Sequence, residues 1–300
     1  MLSPSELLEL RSRLLSATRE FFFSRNYLEV ETPVRIRTPA IEDYIDAEES
    51  GDFYLRTSPE LHMKRMLGMG MKKIFQVGPC FRKGEKGRLH NPEFTMLEWY
   101  NVNLNYREIL VETKELLTFT LKKIKGGFII EFDGMRVDVS SDWEIYDVSE
   151  LYKSLACWDP SVEFDQNRFD IDMIEKIEPF IKRRTRPSVL MNYPAKAASL
   201  ARLCSDNPLT AERWEIYIAG VELANAFGEL VDFSEQKKRF EECILKRKTE
   251  GRKIYPIDEE FMNSLRNGIP DSSGVALGFD RWLMLVSGET SINEVRIFTE

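Results

Sequence analysis

What most limits the folds open to this chain is a pair of segments, residues 74–82 and 93–100, separated by the polar stretch KGEKGRLHNP. Both segments are rich in aromatic and β-branched residues. The stretch between them carries glycine, asparagine and proline, so the pattern reads as an antiparallel hairpin with a long charged loop. Around it, helical and strand patterns mix without regular alternation. That combination points to an α+β protein, an antiparallel sheet flanked by helices, rather than a doubly wound parallel sheet. No GxGxxG or GxxxxGK[ST] follows a strand pattern, so a nucleotide bound here would be held by arginines and a metal.

The rest of the pattern fits one domain over residues 1–300. Ser3-Pro4-Ser5-Glu6 has capping-box spacing, and Leu7, Leu10, Leu14, Ala17 and Phe21 then recur at helical intervals. A short strand over 28–31 stops at Pro33. A strand over 53–57 leads into a helix over 59–67. Further helices are expected over 106–123, 234–248 and 279–286. A small hairpin over 127–139 turns at Asp133-Gly134, and strands follow within 214–226 and 274–278. Residues from about 140 to 210 read as a mixed helical insertion. With 43% hydrophobic residues the chain can bury a sizeable core. No apolar run is long enough for a bilayer and the N-terminus lacks a signal core, so neither membrane insertion nor secretion is expected. Cys80, Cys157, Cys204 and Cys243 lie far apart, and His62 and His90 offer no zinc spacing, so a reduced, cytoplasmic setting is expected. A net charge of −8 disfavours broad contact with nucleic acid. The run Lys182, Arg183, Arg184 and Arg186 is either a solvated face or a local phosphate-binding patch.

Four features carry chemistry. On the strand over 93–100, Phe94, Met96, Glu98 and Tyr100 share one face. Either the first two are core and Glu98 meets a surface cation, or the face belongs to a site. Arg82, at the loop end of the preceding strand, is either an ordinary surface charge or a clamp for phosphate. Gly274, Ala276 and Gly278 leave a strand face without bulk, a mark of close approach by a ligand or another backbone. Asp280 then reads as a helix N-cap with Arg281 in the first turn, where the macrodipole disfavours a cation unless an anion is held there. Glu222 and Glu229 fall on opposite faces of a regular strand. They reach one Mg²⁺ only if the strand bulges, for which Gly228 offers a break.

These segments together resemble the class II aminoacyl-tRNA synthetases, in the lysyl branch. FFSRNYLEVETP (22–33) is similar to that class's first motif, a dimer-interface helix and strand. FQVGPCFR with HNPEFTMLEWY (75–100) is similar to its second motif, and GVALGFDRWLML (274–285) to its third. TSPELHMKRML (57–67) and GVELANAFGEL (220–230) are similar to its lysine- and metal-binding segments. The first helix is expected to begin within a few residues of Met1, so no N-terminal OB-fold anticodon-binding domain is expected. In that respect, and in having Ala276 where lysyl-tRNA synthetases tend to have glycine, the chain resembles the compact paralogue family of elongation factor P–(R)-β-lysine ligases.

The resemblance implies ATP-dependent activation of (R)-β-lysine or lysine as an adenylate, then transfer to a lysine of elongation factor P. It implies ATP and Mg²⁺ as cofactors, a homodimer and no stable tRNA binding. Arg82 and Arg281 would be the catalytic phosphate-binding arginines. Lys83, Gly84, Glu85, His90, Asn91, Phe94, Glu222, Leu223 and Gly278 would complete the ATP site, Phe94 stacking on adenine. Ser58, Pro59, Glu60, Glu98, Tyr100, Asn225, Glu229 and Ala276 would receive the amino acid, and Glu222 and Glu229 would carry Mg²⁺. The family's second motif has glutamate where this chain has Gly84, and Glu85 is the residue placed to substitute. Another amino acid or acceptor, or an inactive synthetase relic serving as a binding module, are the alternatives.

Overall fold

The computed structural model describes residues 2–298. Helix α1 (Pro4–Ser24) starts at Ser3, whose side chain accepts from Glu6 N while Glu6 bonds back to Ser3 N, the capping box legible in the sequence. Strand β1 (Leu28–Glu29) is shorter than expected. Three short strands, β2 (Arg35–Ile36), β3 (Glu49–Ser50) and β4 (Phe53–Leu55), form a separate sheet in the order β2-β4-β3. Helix α2 (Glu60–Gly68) precedes the hairpin of β5 (Lys73–Phe81) and β6 (Glu93–Asn101), which pairs in register from Lys73↔Asn101 to Phe81↔Glu93. Helix α3 (Tyr106–Lys125) has a capping box at Asn105 and Glu108 and ends on left-handed Gly126. Strands β7 (Ile129–Phe132) and β8 (Met135–Asp138) turn at Asp133-Gly134, both at positive φ.

The stretch from 140 to 210 differs from expectation. It holds helices α4 (Val148–Ala156), α5 (Gln166–Asp172) and α6 (Glu178–Lys182), but also β9 (Glu144–Asp147) and β10 (Ser188–Pro194), which join the main sheet. Strand β10 is apolar on both faces, and periodicity alone does not separate such a strand from a buried helix. Strands β11 (Thr210–Ile218) and β12 (Val221–Gly228) turn at Ala219-Gly220, both at positive φ. Helices α7 (Phe233–Thr249) and α8 (Glu259–Asn267), strand β13 (Ser273–Gly278) and helix α9 (Phe279–Ser287) complete the elements used below.

The main sheet has eight strands in the order β1-β5-β6-β13-β12-β11-β10-β9, antiparallel except for the β1·β5 and β9·β10 pairs. This is the expected α+β architecture. One face packs against α1, α3 and α9, where Leu14, Phe22, Phe75, Trp99, Trp214 and Trp282 are buried in the largest core cluster. Two residues of the basic run are ion-paired within the fold and a third bonds a carbonyl. Arg186 pairs with Glu144 at 2.7 Å, Lys182 with Asp133 at 3.5 Å, and Arg184 donates to the Phe180 carbonyl.

Candidate active site

The opposite face of the sheet floors a cavity of about 1020 Å³. Alternation along β6 aims Phe94, Met96, Glu98 and Tyr100 into it, as the sequence pattern implied. Next to β6, β13 presents Gly274, Ala276 and Gly278. Gly274 lies between Tyr100 and Phe227 in register, and Ala276 between Glu98 and Asn225. A Cβ at Gly274 would sit 2.3 Å from Tyr100 Cε1 and 2.5 Å from Glu229 Oε1. The small face of β13 therefore lets a phenol and a carboxylate from neighbouring strands converge.

One end of the cavity is a buried acidic cluster. Glu60 from the first turn of α2, Glu98 from β6 and Glu229 just past β12 are 8%, 2% and 1% exposed. Ser58 Oγ and Tyr100 OH donate to the two oxygens of Glu98 at 2.8 and 2.6 Å. Lys64 Nζ bridges Glu60 at 2.6 Å and Glu229 at 2.5 Å. Burial, reinforced by Glu60, pushes Glu98 up to about 7. Burial likewise pushes Glu229 up to about 8, against the opposing pull of Lys64. Burial opposes the charge of Lys64, but Glu229 and Glu60 outweigh it, and its affinity for its proton is raised. Pro59 caps α2 without lining the cavity, whereas Asn225 lines it, and Asn225 Oδ1 is buried with no protein partner.

The other end is cationic. Arg82 lies just past β5 with its guanidinium 5.2 Å from the centre of the Phe94 ring, and its buried Nε has no protein partner. Arg281 donates to the Glu222 carbonyl at 2.7 Å, to the Leu89 carbonyl at 3.2 Å and to His90 Nε2 at 2.8 Å. His90 is thus an acceptor held neutral, and burial with the Arg281 charge lowers its pKa. Glu85 stands 4.0 Å from Arg82 and lines the cavity, whereas Lys83 and the left-handed Gly84 do not line it. Asn91 lines the cavity and donates to the Glu93 carbonyl at the start of β6 at 2.6 Å. Leu223 and Gly278 line the cavity.

Two expectations need correction. The N-cap of α9 is Gly278, not Asp280. Asp280, buried in the first turn, accepts from Arg11 at 2.6 Å and from Thr95 N at 2.8 Å, and so ties α1 to β6. The second concerns Glu222 and Glu229. The β11·β12 register slips between Ile216 and Tyr217, a bulge that brings Glu222 onto the face of Asn225 and Phe227. Extended chain at about 3.3 Å per residue nevertheless sets Glu222 roughly 20 Å from Glu229, too far to share an ion. Glu229 belongs to the acidic cluster. Glu222 is raised by burial and then by Glu215, with Arg281 and Arg82 opposing.

Sequence reasoning missed Glu215, Arg213, Glu42 and Lys64. Glu215 bonds Arg213 at 2.5 Å and Tyr217 OH at 2.8 Å. Glu42 faces the cavity from the loop before β3, pushed up to about 7 by burial against the pull of Arg82. The spacing of seven in Glu215, Glu222 and Glu229 was the available signal, and only the paired strands show which neighbours meet. Among the described residues no group of three or more His, Cys, Asp or Glu is arranged to hold a metal, and no helix is long and apolar enough to cross a membrane.

Residues 3–300 match the family model of tRNA synthetases class II (D, K and N). Among curated proteins, the chain is 38% identical to an elongation factor P–(R)-β-lysine ligase of Edwardsiella ictaluri. It is 36% identical to proteins of that name from Pectobacterium atrosepticum and Proteus mirabilis. Each comparison covers 96% of this chain and 93% of the relative.

Proposed function

Because the chain belongs to the class II tRNA synthetases of the D, K and N group, we propose that it is an ATP-dependent ligase. It joins (R)-β-lysine or lysine to AMP and transfers the aminoacyl group to a lysine side chain of elongation factor P. The observation that carries this reading is the buried cluster of Glu60, Glu98 and Glu229 at one end of a cavity whose other end bears Arg82 and Arg281. Buried carboxylates are costly unless a cation meets them, so the acidic end suits a substrate with two ammonium groups and disfavours neutral side chains. The acceptor is that of the ligases this chain is similar to.

In the first step a carboxylate oxygen of the amino acid attacks the α-phosphorus of ATP and pyrophosphate leaves. Arg82 offers a free guanidinium edge to the α-phosphate, and Arg281, stapled by Glu222 and Leu89, holds the terminal phosphate. Phe94 packs against the Arg82 guanidinium, and its ring offers a face to adenine. Mg²⁺ fits Glu222 with Glu215, since this ion takes one or two carboxylates plus phosphate oxygens, and it would withdraw charge from the leaving group. In the second step the neutral amine of the acceptor lysine attacks the acyl carbon and AMP leaves. No side chain acts as a covalent nucleophile, so the residues work by position and charge. The four cysteines are free, which fits the reducing cytoplasm proposed as its setting.

Mass measurement after incubation with ATP, Mg²⁺, either amino acid, elongation factor P and tRNA tests the reading. One lysyl-type unit on a single lysine of the factor, with tRNA uncharged, is expected; charged tRNA beside an unmodified factor overturns it. Arg82→Ala should lower amino-acid-dependent ATP–pyrophosphate exchange by about a hundredfold or more. Near-normal exchange would show that the α-phosphate lies elsewhere.

A further inference from the structure

Lys64 is a cation buried in a pocket proposed to receive a dication. Its side chain is 2% exposed and its ammonium bridges two carboxylates, Glu60 one helical turn away and Glu229 beyond β12. A buried ammonium is retained only where its partners repay its lost hydration, and an apolar residue of this size would fill the same volume more cheaply. Charge counting gives it a purpose. Once a bound dication displaces the protons that burial leaves on Glu98 and Glu229, these two and Glu60 bring three negative charges, and Lys64 cancels one. Two remain, the number that lysine or β-lysine neutralises with its two ammonium groups. The bridge also fixes where those charges lie, because it ties α2 to the end of β12 across the pocket.

We propose that Lys64 is a specificity-determining residue, which balances one of three buried carboxylates and holds Glu60 and Glu229 so that the pocket selects a diammonium amino acid. This inference rests on the reading of the acidic end as the amino-acid site.

A charge cycle tests it, using wild type, Lys64→Met, Glu60→Gln and the double variant. Each is titrated calorimetrically with lysine, (R)-β-lysine and norleucine, and its folding is checked by melting. With the substrate bound and every remaining carboxylate ionised, the pocket charge runs −2, −3, −1 and −2 across the four proteins. Each single variant should bind the diammonium acids about tenfold or more weakly, and the double variant should return to within about threefold of wild type. Norleucine should bind weakly to wild type. A purely structural lysine predicts the opposite, the double variant losing the product of the two single losses, and that result overturns the proposal. So does unchanged affinity in Lys64→Met. If Lys64→Met does not fold, Glu60→Gln and the double variant decide the matter: removing Lys64 in the Glu60→Gln background must tighten binding. Wild type that binds the diammonium acids but fails in pyrophosphate exchange refutes the ligase reading and leaves the cycle intact. Wild type that binds neither acid refutes the role of Lys64.

Discussion

At the residue scale, Gly274 is the position where a single methyl group does most. Its Cβ would land 2.3 Å from the Tyr100 ring and 2.5 Å from Glu229 Oε1, and both neighbours are buried. Gly274→Ala should cost about 1–3 kcal/mol of stability and about tenfold or more in affinity for the amino acid. Equal affinity in a titration would show that Glu229 does not face the substrate. The raised carboxylates predict a pH dependence of definite sign. Glu98 and Glu229 hold their protons more tightly in the fold than in the unfolded chain, up to about 7 and about 8. Their stabilising contribution is therefore complete below the ordinary carboxylate range and is lost as pH rises through those values. The melting temperature of the empty protein should fall between about pH 5 and pH 8. A diammonium acid needs both groups ionised, so its affinity should rise from about pH 6 to pH 8, by up to about tenfold per unit for each displaced proton. Titration in buffers of differing ionisation heat should show proton release, and affinity that falls with pH would refute the assignment.

At the element scale, the cavity wall depends on the loop between β2 and β3, held by α7 rather than by secondary structure of its own. Arg247, fully buried near the end of α7, donates to the carbonyls of Glu42, Asp43 and Ile45 and pairs with Asp46. Lys246 pairs with Asp43 at 2.6 Å. Arg247→Met takes this donor from the carbonyls of Glu42, Asp43, Ile45 and Lys253 and leaves Asp46 with Arg252 alone. It should cost about 3–5 kcal/mol, the usual loss when one partner of a buried pair is removed. The loop carrying Glu42 should also become sensitive to protease, and an unchanged melting temperature would contradict this. Elements with strong local signals were legible in the sequence, namely α1 with its capping box, the β5–β6 hairpin, the Asp133-Gly134 turn and the small face of β13. Strand β10 was not, because burial on both sides erases the period of two. Helix α8 was missed although Asp258 caps it.

At the scale of the whole molecule, apolar side chains of α1 and β1 stand exposed among the described residues. Leu8 and Phe23 on α1 and Leu28 on β1 are 53%, 52% and 53% exposed, and β1 is an edge strand. We propose that this face forms a two-fold interface burying more than about 1,000 Å². Light scattering should give twice the chain mass at micromolar concentration, and Phe23→Glu with Leu28→Glu should halve it. A monomeric mass for the unaltered protein would refute the interface.

The amino-acid sequence alone determined the fold class, the family it resembles, and the face of β6 that carries Phe94, Glu98 and Tyr100. Those are properties of local alternation, capping and turn chemistry, which act over a few residues and survive in a one-dimensional pattern. Tertiary structure alone decided how the acids are shared. Glu229 joins Glu60 and Glu98 around Lys64, and Glu222 faces Glu215, because a bulge in β12 and the pairing of strands distant in sequence set which carboxylates meet. Burial then set their charge, since desolvation depends on what covers a residue and not on what precedes it along the chain.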